Sequence, residues 1–259
     1  MRPLRIGIVG GSLAGLFAGI LFRHDGHDVR IYERSSKGLA GRGAGLVPQT
    51  EVFQILREIG VEHLAKIGVL SQDRIYLTKS GFVSHRDHLP QMQISWDHLY
   101  SVLLDKFDSE NYVLSKAVAA VKHEDTAAIL EFQDGSVEAV DMVIAADGIG
   151  SIVRSTINSH SQNTYAGYGA WRGLISESDL SASTRSLIGN LTFYLSDGNQ
   201  ALGYLVPGSA GDLSEGNRRY NWVWYRVVDA SYLSQTLTGM SGRTSRFSLP
   251  RGELSEVRR

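Results

Sequence analysis

The chain has 259 residues, 42% of them apolar, with 28 Gly and 5 Pro, a globular composition. Lys+Arg 26 against Asp+Glu 27 leaves a net charge of −1, which argues against nucleic acid or an anionic membrane as a partner. With no Cys, disulfides, iron–sulfur clusters, thiolate zinc and cysteine nucleophiles are excluded, so redox chemistry would need a bound organic cofactor.

The N-terminus is basic up to Arg5 and residues 6–22 carry no charge, the outline of a secretory signal or a short membrane helix. Gly7, Gly10, Gly11, Gly15 and Gly19 dilute that stretch, and Arg23-His24-Asp25-Gly26 stands where a small-x-small cleavage site would be. The segment reads instead as strand, turn and helix of a soluble, cytoplasmic protein. Residues 4–9 are a β-branched apolar run that stops at Gly10-Gly11, a buried strand. Ser12 is an N-cap ahead of Leu13, Leu16, Phe17, Ile20 and Leu21 at helical spacing, and Gly26 supplies a left-handed stop. Residues 28–34 alternate Val29 and Ile31 with polar neighbours and end in Tyr32-Glu33-Arg34, a second strand. Together these have the length of one right-handed βαβ unit.

Residues 37–45 form a Gly-rich loop carrying Arg42. The spacing predicts helices over 52–59 and 96–107, and a hairpin of 74–77 and 82–84 across Lys79-Ser80-Gly81. Residues 118–122, 128–132 and 137–140 read as a small antiparallel set, and 141–146 as a buried strand ending at Asp147-Gly148. Beyond Arg154, strands over 168–175, 191–195, 203–206 and 220–227 follow without helices between them, the pattern of an antiparallel sheet in a second domain. The expected division is therefore 1–160, with its small antiparallel insert at about 117–140, and 161–259, crossing within 155–165.

Gly10-Gly11-Ser12-Leu13-Ala14-Gly15 is a G-x-S-x-x-G form of the dinucleotide fingerprint, placed between a strand and a helix. Gly10 permits the tight turn, Ser12 stands where backbone approaches a pyrophosphate, and Gly15 allows close helix–strand packing. Glu33 closes the next strand, where an acid accepts a ribose hydroxyl while the helix N-terminus holds the phosphates. The plain alternative is a βαβ turn with a solvated glutamate at the strand end.

Two further stretches make the sequence resemble the class A FAD-dependent aromatic hydroxylases. Asp141-Met142-Val143-Ile144-Ala145-Ala146-Asp147-Gly148-Ile149-Gly150-Ser151-Ile152-Val153-Arg154 is similar to the family's second fingerprint, an apolar strand followed by D-G-x-x-S-x-x-R. Arg42-Gly43-Ala44-Gly45-Leu46 resembles the loop that runs along the flavin. Tyr168-Gly169-Ala170-Trp171-Arg172-Gly173 and Arg219-Tyr220-Asn221-Trp222-Val223-Trp224-Tyr225-Arg226 are similar to the 2,6-dihydroxypyridine 3-hydroxylase branch. That branch also tolerates Gly-Gly-Ser in the first fingerprint.

The resemblance implies an α/β protein: a Rossmann-like FAD/NAD(P)-binding domain and a second domain built on an antiparallel sheet. It implies FAD as cofactor, NADH or NADPH as reductant, a small aromatic substrate and O2, with assembly as a homodimer open. In such enzymes a flavin C4a-hydroperoxide hydroxylates an electron-rich ring. The implied cofactor set is Gly10, Gly11, Ser12, Leu13, Ala14, Gly15, Glu33, Arg34, Arg42, Gln91 and Asp147. Arg34 stands beside the adenosine end or on plain surface, and Gln91 against the flavin or in solvent. Asp147 holds the ribityl–pyrophosphate region and shapes the approach of NAD(P)H, or merely forms an Asp-Gly turn. No catalytic base is named by the sequence.

His85-Arg86-Asp87-His88 and His24-Asp25-Gly26-His27 present neither a helical face nor a third ligand at motif spacing, so no metal is expected. Trp171, Tyr204, Trp222, Trp224 and Tyr225 fall on the second sheet, where they roof an aromatic substrate or simply form its core. The family's third fingerprint, Gly-Asp with small residues and Pro-x-x-Gly, does not occur before Arg258-Arg259, and residues 247–254 look like the linker that would precede it. Two other readings therefore stay open: a catalytically silent nucleotide-binding fragment, and a flavoprotein of different chemistry. Halogenation is disfavoured, because Trp222-Val223-Trp224 is followed by Tyr225-Arg226 rather than the W-x-W-x-I-P segment of such halogenases.

Overall fold

The computed structural model describes residues 2–41, 43, 45–66, 68–250 and 252–254, without the side chains of Leu64 and Ala65. β1 (Arg5–Val9), α1 (Leu13–His24) and β2 (Asp28–Tyr32) open the chain. They are followed by β3 (Gly45–Leu46), α2 (Thr50–Glu58), α3 (Glu62–Ala65), β4 (Gly68–Ser71), β5 (Asp73–Leu77), β6 (Val83–Asp87), β7 (Gln91–Ser95) and α4 (Trp96–Lys106). Next come β8 (Tyr112–Val113), β9 (Val118–His123), β10 (Ala128–Phe132), β11 (Val137–Val140), β12 (Met142–Ala145) and α5 (Ile152–Ile157). β13 (Tyr168–Ser176), α6 (Ala182–Arg185), β14 (Asn190–Ser196), β15 (Asn199–Val206), β16 (Arg219–Val227) and α7 (Ala230–Thr236) complete the order.

The first sheet is parallel, in the order β12-β1-β2-β8, with Ile6 beside Val29 and Ile8 beside Ile31. Alternation along β1 divides the interior into two layers. Ile6 and Ile8 join Leu16, Leu56, Leu99 and Leu103 beneath the helices, while Val9 joins Leu130, Phe132 and Val140 on the other side. There the antiparallel sheet β11-β10-β9 covers the parallel one. Gly7 makes that approach possible, since a Cβ on it would stand 2.7 Å from Leu130 Cδ1.

The segment expected to be a buried strand before Asp147 is a strand, but β12 lies at the edge of its sheet and is only half-buried, with Ala145 exposed. Its apolar composition reads the same whether one neighbour or two flank it.

The second large sheet runs β13-β16-β15-β14-β5-β6. Its last two strands are the 73–87 hairpin, which the expected division leaves within the first domain. β14 pairs parallel to β5, with Asn190 beside Asp73, so the sheet is mixed and not purely antiparallel. One short helix, α6, also interrupts the strands. A fourth sheet, β3-β7-β4, lies against β15. No helix among the described residues is long and apolar enough to cross a membrane.

Glu177 clamps the end of β13 to the start of β16. Its side chain is 4% exposed, and its carboxylate accepts from Arg218 Nε (2.8 Å) and from the amide of Gly216 (2.9 Å). The Arg218 guanidinium holds the carboxyl below the ordinary glutamate range, with burial opposing it. A depressed folded-state pKa stabilises the fold above the unfolded value, about 4.3, and that contribution is lost as pH falls through the folded one. Melting followed by circular dichroism from about pH 6 to pH 3.5 is expected to fall more steeply for the wild type than for Glu177→Gln. Parallel slopes would show that the clamp does not report on protonation.

Candidate dinucleotide site

β1 runs into its turn with Gly10 at φ +106°, and the Gly10 amide donates to Tyr32 O (2.9 Å). A Cβ on Gly10 would lie 2.4 Å from Ala146 O and 3.0 Å from Asp147 Cα. A Cβ on Gly15 would lie 2.0 Å from Gly10 O. The first fingerprint is thus packed backbone against backbone, on its own turn and on the end of β12. Ser12 takes the N-cap position of α1 with extended backbone, yet its side chain caps no amide and no acid lies in the first turn. The starting amides of a helix have no intrahelical partner. Leu13 and Ala14 follow there, half-buried and exposed respectively, ahead of buried Gly15.

Glu33 lies just past β2 and is 5% exposed. Its two oxygens divide their work: Oε2 accepts from the amide of Gly11 (2.9 Å) and Oε1 from that of Ser35 (2.8 Å). The carbonyl of Gly11 is held as well, by the Tyr112 hydroxyl at 2.7 Å, which also lies 3.0 Å from the Tyr100 hydroxyl. Burial, reinforced by Tyr100, pushes the Tyr112 phenol well above its ordinary pKa, so it stays a neutral donor.

The structure explains the spacing of the second fingerprint. Asp147 accepts from Ser151 Oγ (2.6 Å) and from the amides of Ile152 (2.7 Å) and Val153 (3.3 Å). Ser151 Oγ in turn accepts from the Arg154 amide (2.9 Å), and Arg154 Nη2 donates to Ile149 O (2.7 Å). The Asp, Ser and Arg of D-G-x-x-S-x-x-R close their own turn, and the backbone at 146–147 is what meets Gly10.

Gly10, Gly11, Ser12, Leu13, Ala14, Gly15, Glu33 and Asp147 are therefore gathered at the carboxyl ends of β1, β2 and β12. Arg34 is exposed beside Glu33. Gln91 is not drawn to this group; its amide oxygen accepts from Arg74 Nη2 (3.1 Å), tying β7 to β5 of the large sheet. Arg42 lies outside the described residues. Around it, a Cβ on Gly43 would stand 2.3 Å from the Trp96 ring and one on Gly45 2.4 Å from the Tyr204 ring. The loop therefore passes closely between α4 and β15. Tyr100, Tyr112 and Asp97, which accepts from the Gly41 amide at 3.0 Å, have no motif that announces them.

A family model described as FAD binding domain-like matches residues 165–258. The chain is 32% identical over 241 residues to 2,6-dihydroxypyridine 3-monooxygenase of Paenarthrobacter nicotinovorans, covering 92% of this chain and 59% of the relative. It is 26% identical to 6-hydroxynicotinate 3-monooxygenase of Pseudomonas fluorescens, covering 81% and 57%. The structure of 2,6-dihydroxypyridine-3-hydroxylase from Arthrobacter nicotinovorans superposes with a TM-score of 0.87 at 31% identity, covering 95% of this chain and 62% of that one. By sequence and by structure the chain is similar to the class A FAD-dependent aromatic hydroxylases. Within them it is similar to the 2,6-dihydroxypyridine 3-hydroxylase branch. It spans about three fifths of the length of these relatives.

Gly11→Ala would place a Cβ 2.2 Å from the Tyr112 hydroxyl, whereas Tyr112→Phe removes only that hydroxyl's bonds. Urea unfolding is expected to cost Tyr112→Phe about 1–2 kcal/mol. Gly11→Ala is expected to cost more than that, by overpacking. Equal stabilities would contradict the turn's dependence on Tyr112.

Proposed function

We propose that this chain is the cofactor- and substrate-binding part of an FAD-dependent monooxygenase. Its reaction would hydroxylate an electron-rich aromatic or hydroxypyridine substrate with NADH or NADPH and O2. The observation that carries the reading is the uncapped, acid-free start of α1, held beside buried Glu33 by a turn with no room for a Cβ. Such a start offers free amides and the positive end of the helix dipole to a pyrophosphate. Each Glu33 oxygen accepts one bond and keeps a lone pair for a ribose hydroxyl.

In that fit Gly10, Gly11, Ser12, Leu13, Ala14 and Gly15 would line the pyrophosphate, Glu33 the ribose, and Arg34 the adenosine end. Arg42, Gln91 and Asp147 complete the set the resemblance implies, Gln91 by releasing Arg74 and Asp147 through its backbone. Bound FAD would supply the redox chemistry, taking electrons from the nicotinamide and activating O2. The chain's own share is to bind and orient, with the loop at 41–45 against the flavin and the sheet β13–β16 shielding the ring from water. A cytoplasmic location, read from the N-terminal segment, and assembly as a homodimer belong to the same proposal.

The purified chain is expected to bind FAD and show its visible absorption, and Gly10→Ala to weaken that binding at least about tenfold. Hydroxypyridines are expected to stimulate its NADH or NADPH oxidation. A colourless chain that takes up no FAD would overturn the cofactor reading. FAD uptake without stimulated oxidation would favour a nucleotide-binding piece over a competent enzyme.

A further inference from the structure

Asp97, the second residue of α4, turns its two carboxylate oxygens toward different parts of the molecule. Oδ1 accepts from the amides of Gly41 (3.0 Å) and Gly43 (3.2 Å), on the loop between Glu33 and β3. Oδ2 lies 3.5 Å from Nη1 of Arg219, the first residue of β16 in the large sheet. Arg219 is itself held in place, donating through Nη2 to Ser95 Oγ (3.1 Å) and through Nε to Pro207 O (3.3 Å). Both side chains are about one-fifth exposed, so the pair is screened less than a surface ion pair. Arg219 donates to no described residue of the loop. Among the described residues its hydrogen-bonded route to the amides of Gly41 and Gly43 runs through Asp97, while Ser95, which also accepts from it, pairs with Gly45.

We propose that Asp97 is a positioning residue through which the large sheet, by way of Arg219, sets the 41–45 loop. The guanidinium fixes the carboxylate's rotation, and that rotation keeps Oδ1 on the two amides. Without the cation the carboxylate is freer to turn toward water, and its two bonds to the loop weaken without being lost. A shift of β16 when substrate enters would therefore be felt at the loop. This coupling rests on the reading that the loop lies along the flavin, but the contacts that carry it are within the chain.

The test is amide hydrogen exchange in the cofactor-free chain, followed in a peptide covering residues 38–46. Asp97→Ala is expected to speed exchange there at least tenfold. Arg219→Met should speed it several-fold, even though that side chain donates nothing to the loop. Asp97→Asn keeps an acceptor for the amides but drops the ion pair, and should match Arg219→Met. The double variant Asp97→Ala with Arg219→Met should exchange no faster than Asp97→Ala alone. Loop exchange at the wild-type rate in Arg219→Met, or strictly additive effects in the double variant, would overturn the proposal. Exchange over β1 reports global folding; if Asp97→Ala raises it, Asp97→Asn and Arg219→Met decide between them. FAD titration separates the two ideas. If Gly10→Ala leaves FAD binding intact, the cofactor reading fails while the exchange result stands on its own.

Discussion

The candidate site depends on two places where backbone packs directly on backbone. A side chain on residue 10 would collide with the carbonyl of Ala146, and one on residue 15 with the carbonyl of Gly10. Because both are glycine, α1 begins immediately at the end of β1, and the end of β12 closes against the same turn. The parallel register of β1 and β2 then carries Glu33 to the Gly11 amide. Helix start, acid and second fingerprint converge because nothing bulky separates their main chains.

Side chains then fix what the glycines permit. Glu33 holds the Gly11 amide, Tyr112 holds the Gly11 carbonyl, and Asp147 satisfies three donors of its own turn. Glu33 and Tyr112, both buried, thus have partners, which keeps the main chain around Gly11 ordered. The large sheet contributes in the same manner from the opposite side. Tyr204 of that sheet leaves room only for glycine at 45, as Trp96 of α4 does at 43.

How much of this was legible in the sequence follows from the range of each interaction. The βαβ unit and its turn are local, written in the alternation of Val29 and Ile31 and in the glycine spacing. The second fingerprint is local too, since the bonds of Asp147 reach no further than Val153. Tyr112 reaches Gly11 across 101 positions, and no periodicity records such a partnership. The same holds for Asp97 with Arg219, and for the amide of Gln91, which Arg74 claims from another sheet. Edge position escaped for a different reason: hydrophobicity measures the company a strand keeps on its faces, not the number of its neighbours. A hairpin is likewise recognisable from its turn, yet the strand it will lie beside is not.

The hairpin β5–β6 has a consequence for how the chain acquires its shape. It is made early in the sequence, but its sheet partner β14 arrives after β13, with Asn190 seated beside Asp73. Until then the outer edge of β5 carries unpaired main-chain groups, the kind of surface that recruits foreign strands. Contacts of such long sequence separation slow folding, because the intervening chain must be closed into a loop first. Synthesis from the N-terminus therefore leaves this ribbon waiting, and the large sheet is the late, aggregation-exposed step in the chain's assembly.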